Sequence, residues 1–144
     1  MLDAGDPAPD FYRPAIDDAE AEYMLSAAAN ASPVLLAFVP DPADDLLVRL
    51  GQIRWASVVD RIAIFGIADG REQRASFSAP EIPFPVLEDF EGYVAGQYLG
   101  ADAPPRALVL VDQRCTVAWT WRASHADASP PMDDLENELR SLSS

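Results

Sequence analysis

Few side chains of this sequence could do chemistry: one cysteine, one histidine, and an arginine and several carboxylates at the ends of predicted strands and helices. Cys115 is the single cysteine, so a disulfide within the chain and a CxxC site are both excluded. His125 is the single histidine and lies in a polar stretch. Zinc and iron sites take several such ligands at compatible spacing, so we expect no metal and no other cofactor.

Cys115 lies at the predicted tip of a β-hairpin, next to Arg114, whose charge could favour the thiolate slightly. The sequence places no helix terminus and no histidine beside it, and these are the usual sources of a reactive thiol. The pattern favours an incidental small residue in a turn. Cys115 is still the redox candidate of this chain, and an exposed thiol there could link two chains.

Carboxylates cluster at two predicted helix starts, Asp41–Asp45 and Asp133–Asp134. Both clusters could hold a hard cation loosely, but neither has the spaced ligands and the glycine of an EF-hand loop. Helix capping explains both more simply, so we predict no metal site. The sequence also has no glycine-rich phosphate loop, nucleophile elbow or Ser-His-Asp pattern.

The length of 144 residues and the hydrophobic fraction of 49% predict a single globular domain that spans residues 1–144. No apolar run approaches the length needed to cross a bilayer. The N-terminus has neither the basic nor the apolar region of a signal peptide, so we expect a cytoplasmic protein.

The formal net charge is −14, from 24 acidic and 10 basic residues, and every basic residue is arginine. Acid excess, missing lysine and abundant alanine are typical of proteins from salt-loving archaea, whose surface carboxylates stay hydrated in molar salt. We therefore predict a halophilic source. At low salt, where the field is not screened, such a surface repels phosphate backbones and anionic lipid, so neither nucleic acid nor a membrane is an expected partner.

The first half of the chain predicts two buried strands and two helices. Continuous apolar runs at Val34–Val39 and Ile62–Ala68 are typical of strands buried on both faces. The acidic stretch Asp17–Glu22 predicts a short helix before the first strand. After that strand, Asp41 is the predicted N-cap of a helix with Pro42 in its first turn. The apolar stripe of this helix is Leu46, Leu47, Leu50, Ile53 and Trp55.

The second half predicts a mixture of helices and an antiparallel hairpin. The predicted elements are a turn at Asp69-Gly70, a helix over residues 71–79, an extended segment at Ile82–Asp89, a helix at Tyr93–Tyr98 ended by Gly100, a hairpin of Arg106–Asp112 and Thr116–Arg122, and a helix at Met132–Leu142. On the second hairpin strand, Trp119 and Trp121 are expected on the same face as Val117. The two indoles would either complete the core under the last helix or form a dimer patch.

Four segments follow the order of a known family: Gly5–Phe11, Val34–Pro40, Ile82–Asp89 and Arg106–Asp112. Together they resemble the peroxiredoxins, the alkyl hydroperoxide reductase and thiol-specific antioxidant family, and in particular its bacterioferritin-comigratory branch. The resemblance implies a thioredoxin-like α/β fold, with a central mixed β-sheet flanked by helices. The family usually has a glycine-turned β-hairpin within residues 12–32, and this sequence departs from that pattern there.

In that family the first core strand ends in Pro-x-x-x-Thr-x-x-Cys, and the cysteine in the first turn of the next helix is the nucleophile. Here Pro40 is kept, Asp44 replaces the threonine and Leu47 replaces the cysteine. An alkyl chain cannot attack a peroxide oxygen as a thiolate does, so peroxidase chemistry cannot run from this position. By the resemblance, Pro40, Asp44, Leu47 and Arg106 are vestigial active-site positions.

The resemblance implies that Arg106 corresponds to the arginine that steadies the family's thiolate and polarises the peroxide. Without a thiolate this guanidinium needs another anion, and Asp44 is the nearest candidate by family geometry, with Asp41 and Asp45 behind it. The alternative is an arginine on the surface at the start of a strand, since an uncompensated buried arginine would be costly.

Three functions stay open. The leading hypothesis is a non-enzymatic peroxiredoxin-like protein that acts by binding a protein partner or a small anion. The second is a one-cysteine, thiol-dependent oxidoreductase that uses Cys115 with an external reductant. The third is a structural homodimer or a subunit of a redox complex.

Overall fold

The computed structural model describes residues 2–16, 20–40, 42, 44–59, 61–69, 82–100, 104–125 and 128–143. In these ranges the strands are β1 Tyr12–Pro14, β2 Glu22–Met24, β3 Val34–Phe38, β4 Ala63–Ala68, β5 Val86–Glu88, β6 Ala107–Val111 and β7 Val117–Arg122. The helices are α1 Leu25–Ala31, α2 Asp45–Gly51, α3 Tyr93–Leu99 and α4 Met132–Ser143, with short 3-10 turns at Trp55–Ser57 and Phe90–Gly92. None of these helices is long and apolar enough to span a membrane.

One mixed sheet forms the centre of the fold, with the strand order β5-β4-β3-β6-β7. Strand β4 runs parallel to β3 and β5, whereas β6 runs antiparallel to β3 and β7. Helices α1 and α3 pack on one face, and α2 and α4 pack on the other. This is the thioredoxin-like arrangement, so the predicted fold class is confirmed.

The central strands β3 and β6 are buried along their whole length. Because helices cover both faces of the sheet, side chains that point in either direction enter an apolar layer. This explains why the sequence of these strands is continuously apolar and does not alternate with polar residues.

The topology of the sheet brings the end of β3 beside the start of β6. In their antiparallel register Phe38 lies opposite Ala107, which directly follows Arg106. Helix α2 begins at Asp45, a few residues after the end of β3. The fold therefore gathers the end of β3, the start of α2 and the start of β6 at one corner of the molecule.

The N-terminal part of the chain forms a β-hairpin, where the sequence predicts a helix from Asp17–Glu22. Strands β1 and β2 pair antiparallel, with Tyr12 opposite Met24. The ring of Tyr23 packs against that of Phe65, with centroids 5.5 Å apart, and this contact fixes the inward face of β2. Glu22, the last residue of the acidic stretch, therefore lies in a strand and not in a helix, and Asp17, Asp18 and Ala19 lie outside the described residues.

Helix α1 starts at Leu25 and takes its cap from a distant part of the sequence. Asp10 accepts hydrogen bonds from the backbone nitrogen and from the hydroxyl group of Ser26, both at 2.9 Å. A carboxylate sixteen positions upstream is invisible to any local capping pattern. The predicted start of this helix in the acidic stretch was therefore wrong, because the group that caps α1 is brought there by the tertiary structure.

Helix α2 also begins later than the sequence predicts. Its N-cap is Asp44, whose Oδ1 accepts a hydrogen bond from the backbone nitrogen of Leu46 at 2.9 Å. Pro42 thus precedes the helix, and Asp41 lies outside the described residues. The helix ends at Gly51, so the last two members of the predicted stripe follow the helix and do not extend it.

Several later elements agree with the predictions. Helices α3 and α4 and the β6–β7 hairpin are present, and Gly100 ends α3 with φ of 81°. Strand β5 forms where the sequence predicts only an extended segment, because its residues pair with the exposed edge of β4. The helix predicted over residues 71–79 lies outside the described residues, as does Gly70.

The two tryptophans of β7 do not share a face with Val117, contrary to the prediction. Val111 pairs with Val117, but the register then shifts and the next pair involves Trp119. The extra residue, Ala118, forms a β-bulge that reverses the alternation of the strand. Val117 therefore lies in the layer under α1 and α3, and Trp119 and Trp121 pack against the layer under α2 and α4.

Candidate functional site

Arg106 is buried at the corner where β3, α2 and β6 meet. Its side chain is only 5% exposed, so the alternative of a surface arginine is wrong. The guanidinium forms a fork with Asp44: Nε lies 3.2 Å from Oδ2 and Nη2 lies 2.7 Å from Oδ1. The structure thus brings together Arg106 and Asp44, the pair that the sequence analysis expects.

Two more acceptors complete the surroundings of this guanidinium. Nη2 also donates to Oδ1 of Asp45 at 2.6 Å, and Nη1 donates to the carbonyl oxygen of Ala128 at 3.1 Å. We call Arg106, Asp44 and Asp45 the arginine clasp. An arginine has five N–H donors, and the contacts to Asp44, Asp45 and Ala128 engage four of them.

The arginine clasp holds the start of α2 against the rest of the fold. Asp44 bonds to Arg106 and caps α2 with the same carboxylate, so both of its oxygens are used. Asp45 also accepts a hydrogen bond from Nη2 of Arg49. The Nη1 atom of Arg49 donates to the hydroxyl group of Ser129 at 3.0 Å. Through Ala128 and Ser129 the network ties α2 to the segment that leads into α4.

The charges within this network support one another. The hydrogen bond to Asp44 raises the pKa of Arg106, which therefore stays fully charged. For Asp45, desolvation opposes ionisation, but the positive charges of Arg49 and Arg106 outweigh it and hold the pKa below its ordinary value of 3.8. Two carboxylates and two guanidinium groups thus neutralise each other at the corner.

Leu47, the residue at which the resemblance would place the nucleophile, is fully buried. Its backbone nitrogen lies 3.2 Å from the carbonyl oxygen of Asp44, in the first turn of α2. The side chain packs on the backbone of β4 at Gly66: a Cβ atom at that glycine would lie 3.0 Å from Cδ2 of Leu47. Leu47 is therefore part of the core and offers no reactive atom.

Pro40 is exposed just after β3, at the same corner. Asp41, the other carboxylate that the sequence suggests as a partner of the arginine, lies outside the described residues. Two contributors were not predicted: the carbonyl group of Ala128 and the side chain of Arg49. The four-residue spacing of Asp45 and Arg49 on a helix is a local signal that could have identified the second.

Cys115 lies at the opposite end of β6, in the turn that leads to β7. Its φ is 57°, a left-handed conformation, and its carbonyl oxygen accepts a hydrogen bond from the backbone nitrogen of Ala8 at 2.9 Å. Burial raises the pKa of the thiol above its ordinary value, and the negative charges of Asp10 and Asp112 raise it further. The net effect of these surroundings is opposite to the slight effect that the sequence suggests for Arg114.

His125 is exposed in the segment between β7 and α4. Among the residues that the structure describes, no group of three or more histidine, cysteine or acidic side chains could hold a metal ion. The arginine clasp is thus the one arrangement of predicted site residues that the described structure gathers into a network.

Comparison with known proteins gives a likeness of fold. No protein-family model matches the chain, and no curated protein matches it. The peroxidoxin BcpB from Mycobacterium tuberculosis superposes with a TM-score of 0.79 at 24% identity, over 100% of both chains. A mitochondrial 2-Cys peroxiredoxin from Plasmodium falciparum gives 0.74 at 13% identity, over 96% of this chain and 93% of that one.

A peroxiredoxin-like protein from Aquifex aeolicus gives a TM-score of 0.73 at 18% identity, over 99% of this chain and 88% of that one. Each likeness covers nearly the whole of this chain, so the shared fold includes the strands and helices that form the corner around Arg106. Identities this low show a shared fold but do not show a shared activity. The chain therefore has the thioredoxin-like fold of the peroxiredoxins.

Proposed function

We propose that this chain is a peroxiredoxin-like redoxin protein with a degenerate active site, which lacks peroxidase activity and acts by binding. The observation that supports the proposal is the arginine clasp beside a fully buried Leu47. Peroxide reduction in the family requires a thiolate near a guanidinium whose N–H groups are free to bind the peroxide. Here the first is replaced by an alkyl chain, and the second is engaged by two carboxylates.

The clasp also argues against the small anion as the bound partner. A negatively charged ligand at Arg106 would have to displace Asp44 or Asp45, and Asp44 is needed at the same time to cap α2. The displaced carboxylate would leave the start of the helix without its cap. We therefore place binding elsewhere on the molecule and regard the clasp as a structural contact.

The second hypothesis, a one-cysteine oxidoreductase, has less support. A thiol reacts with peroxide as its thiolate, and the environment of Cys115 favours the protonated form. Cys115 and Arg106 lie at opposite ends of β6, so the guanidinium cannot assist a reaction at that thiol. The third hypothesis, a homodimer or a subunit of a redox complex, is compatible with a binding role.

Peroxide consumption separates the first two hypotheses. We expect the wild-type protein and Cys115→Ser to consume hydrogen peroxide and alkyl hydroperoxides equally slowly in the presence of a thiol reductant. Activity in the wild type that disappears in Cys115→Ser would favour the oxidoreductase. Turnover at a typical enzymatic rate of about 1 s⁻¹ or more would overturn the proposal.

Restored chemistry tests the assignment of the degenerate site. In a Cys115→Ser background, Leu47→Cys alone should gain little activity, because Asp44 would raise the pKa of the new thiol. Adding Asp44→Thr should increase the activity, since it supplies the family's residue and releases Arg106. Equal activity of the single and double variants would contradict the role given to Asp44.

We also infer a high-salt cytoplasm as the setting of this protein. The support is compositional: a net charge of −14 and basic residues that are all arginine. In such a cytoplasm the mutual repulsion of the carboxylates is screened. A size measurement in molar salt would show whether the chain is a monomer or a homodimer under those conditions.

A further inference from the structure

A cavity of about 280 Å³ lies between helix α2 and the segment that leads into α4. Its apolar wall consists of Leu46, Leu50, Ile53, Pro130 and Met132. Leu46 and Leu50 belong to the core layer under α2 and α4, so the wall is continuous with the packed interior. The volume is slightly below the range of roughly 300–1,000 Å³ that is typical of small-molecule sites, so the cavity suits a small ligand.

Two polar side chains, Arg49 and Ser129, complete the lining of this cavity. They join its two sides, because Nη1 of Arg49 donates to the hydroxyl oxygen of Ser129 at 3.0 Å. Within the described residues, the other contact of this guanidinium is the hydrogen bond from Nη2 to Oδ2 of Asp45 at 2.9 Å. An arginine has five N–H donors, so three are left for another acceptor, and the hydroxyl group of Ser129 can donate as well. The polar part of the cavity therefore offers hydrogen-bond donors.

The charge of Arg49 does not select an anion, because Asp45 already pairs with it. An anionic ligand would add a third carboxylate to a network in which Asp44 and Asp45 balance Arg49 and Arg106, on a chain with a net charge of −14. An ammonium group finds no carboxylate among the described residues of the lining. Donors whose charge is already balanced favour an uncharged acceptor, such as a carbonyl oxygen, on an apolar body.

We propose that the cavity between α2 and residues 129–132 binds a small uncharged carbonyl compound, with its oxygen at Arg49 and Ser129 and its apolar body against Leu46, Leu50 and Met132. The inference rests on the proposed binding role and deepens it by assigning a site and a ligand class. The two can fail separately. A failed titration leaves the result of the peroxide assay unchanged, and peroxidase activity would overturn the proposed function without changing the titration.

The test is an amide NMR titration with four small aromatic molecules of similar size: acetophenone, α-methylstyrene, benzoate and benzylamine. The second replaces the carbonyl oxygen of acetophenone with a methylene group, and the last two carry a negative and a positive charge. The buffer contains about 1 M salt, which screens attraction to the acidic surface. We expect saturable shifts of the Leu50, Ile53 and Met132 amides with acetophenone. The α-methylstyrene should bind about fivefold more weakly, because it cannot accept a hydrogen bond, and the two charged molecules should not saturate the site.

Two variants and a control locate the site. Arg49→Met removes the donors but keeps an apolar side chain, so it should weaken acetophenone binding about fivefold and leave α-methylstyrene nearly unchanged. Ile53→Phe should abolish binding of both by filling the cavity, provided that its amide spectrum stays dispersed. Should that variant unfold, Arg49→Met still decides. The control is Arg140→Met, because Arg140 on α4 is also exposed and paired with an acidic residue four positions earlier, Glu136. This change should leave both affinities unchanged.

Four results would overturn the proposal. The first is the absence of saturable shifts around the cavity with acetophenone. The second is equal binding of acetophenone and α-methylstyrene, which would show that the donors contribute nothing. The third is tighter binding of benzoate or benzylamine than of acetophenone. The fourth is an acetophenone affinity in Arg49→Met that equals that of the wild type.

Discussion

Arg106 and Cys115 lie at opposite ends of β6, and nearby aspartates act on these two side chains in opposite ways. At one end Asp44 and Asp45 hold Arg106 in its charged form and occupy its donors. At the other end burial, with Asp10 and Asp112, keeps the thiol of Cys115 protonated. The same carboxylate stabilises a cation and destabilises an anion, so its neighbour decides the outcome.

The two ends differ in how deeply their charges are buried. The side chains of Arg106 and Asp44 are 5% and 9% exposed, whereas Asp112 is half-buried and Asp10 is exposed. Buried charges are costly when left unpaired, and exposed ones are not. The first end should therefore respond to mutation with large changes in stability, and the second with small changes in reactivity.

The largest expected effect is that of Asp44→Ala. This change leaves the buried guanidinium of Arg106 without its acceptor at Asp44, and it removes the N-cap of α2. The free energy of unfolding should therefore fall by about 3–5 kcal/mol. Denaturant unfolding at neutral pH measures it. The double variant Asp44→Ala/Arg106→Met should recover much of the loss, because no buried charge remains unpaired.

At the other end, Asp112→Ala provides the matched comparison. Asp112 accepts hydrogen bonds from the backbone nitrogens of Arg114 and Thr116 at 2.8 and 3.1 Å, but it neutralises no buried cation in these contacts. Its loss should cost only about 1 kcal/mol. Equal losses at Asp44 and Asp112 would contradict the difference in burial between the two ends.

Next in size is the effect of Gly66→Ala, which tests how Leu47 fills the core. The new Cβ would lie 3.0 and 3.3 Å from the two Cδ atoms of Leu47 and 3.3 Å from Cγ2 of Val86. Overpacking of this kind should cost about 1–3 kcal/mol in the free energy of unfolding. Leu47→Ala is itself destabilising, but Gly66→Ala should cost much less in that background. Additive losses in the double-mutant cycle would show that the two residues do not compete for space.

A smaller and more distributed effect is expected from salt. The mutual repulsion of the surface charges is screened as the Debye length falls to roughly 3 Å at 1 M, so the thermal midpoint should rise from dilute buffer to about 2 M potassium chloride. Thermal unfolding followed by circular dichroism measures it. A flat or falling midpoint would remove the argument for a halophilic protein.

The smallest effect concerns Cys115 and pH. Because the folded thiol has a raised pKa, the unfolded thiol ionises first as the pH rises. Stability should therefore be unaffected below the ordinary thiol pKa and should decline as the pH rises through it toward the folded value. Cys115→Ser should lack this component of the alkaline decline when the two unfolding curves are compared.

Alkylation by iodoacetamide reports the same pKa directly. The rate in the folded protein should reach its half-maximum at a higher pH than the rate in denaturant, and added salt should narrow the gap by screening Asp10 and Asp112. Faster alkylation of the folded thiol than of the denatured thiol at neutral pH would contradict the raised pKa of Cys115.

Sequence alone predicted the elements whose signals are local. Helix α3 combines an apolar stripe with Gly100 at its end, and β3 is a continuous apolar run between two prolines. The start of α2 was harder to predict from the sequence, because three nearby aspartates could each cap the helix. Asp44 is the observed cap, and the same carboxylate is held by Arg106, a contact between residues 62 positions apart.

Two of the failures have different physical causes, which are a capping group from another part of the chain and a local irregularity of a strand. Asp10 caps α1 from the far side of the β1–β2 hairpin, and the bulge at Ala118 turns Trp119 away from the face of Val117. Neither the cap nor the bulge changes the pattern of apolar and polar residues in its own segment.

The amino-acid sequence establishes the charge of the chain, its single thiol, the leucine at position 47 and the order of the central strands along the chain. The tertiary structure decided what surrounds the remaining polar groups: which carboxylates hold Arg106, and which raise the pKa of Cys115. Composition fixes which groups can ionise, but Coulomb interactions and desolvation depend on distance and burial, and these exist only once the chain has folded.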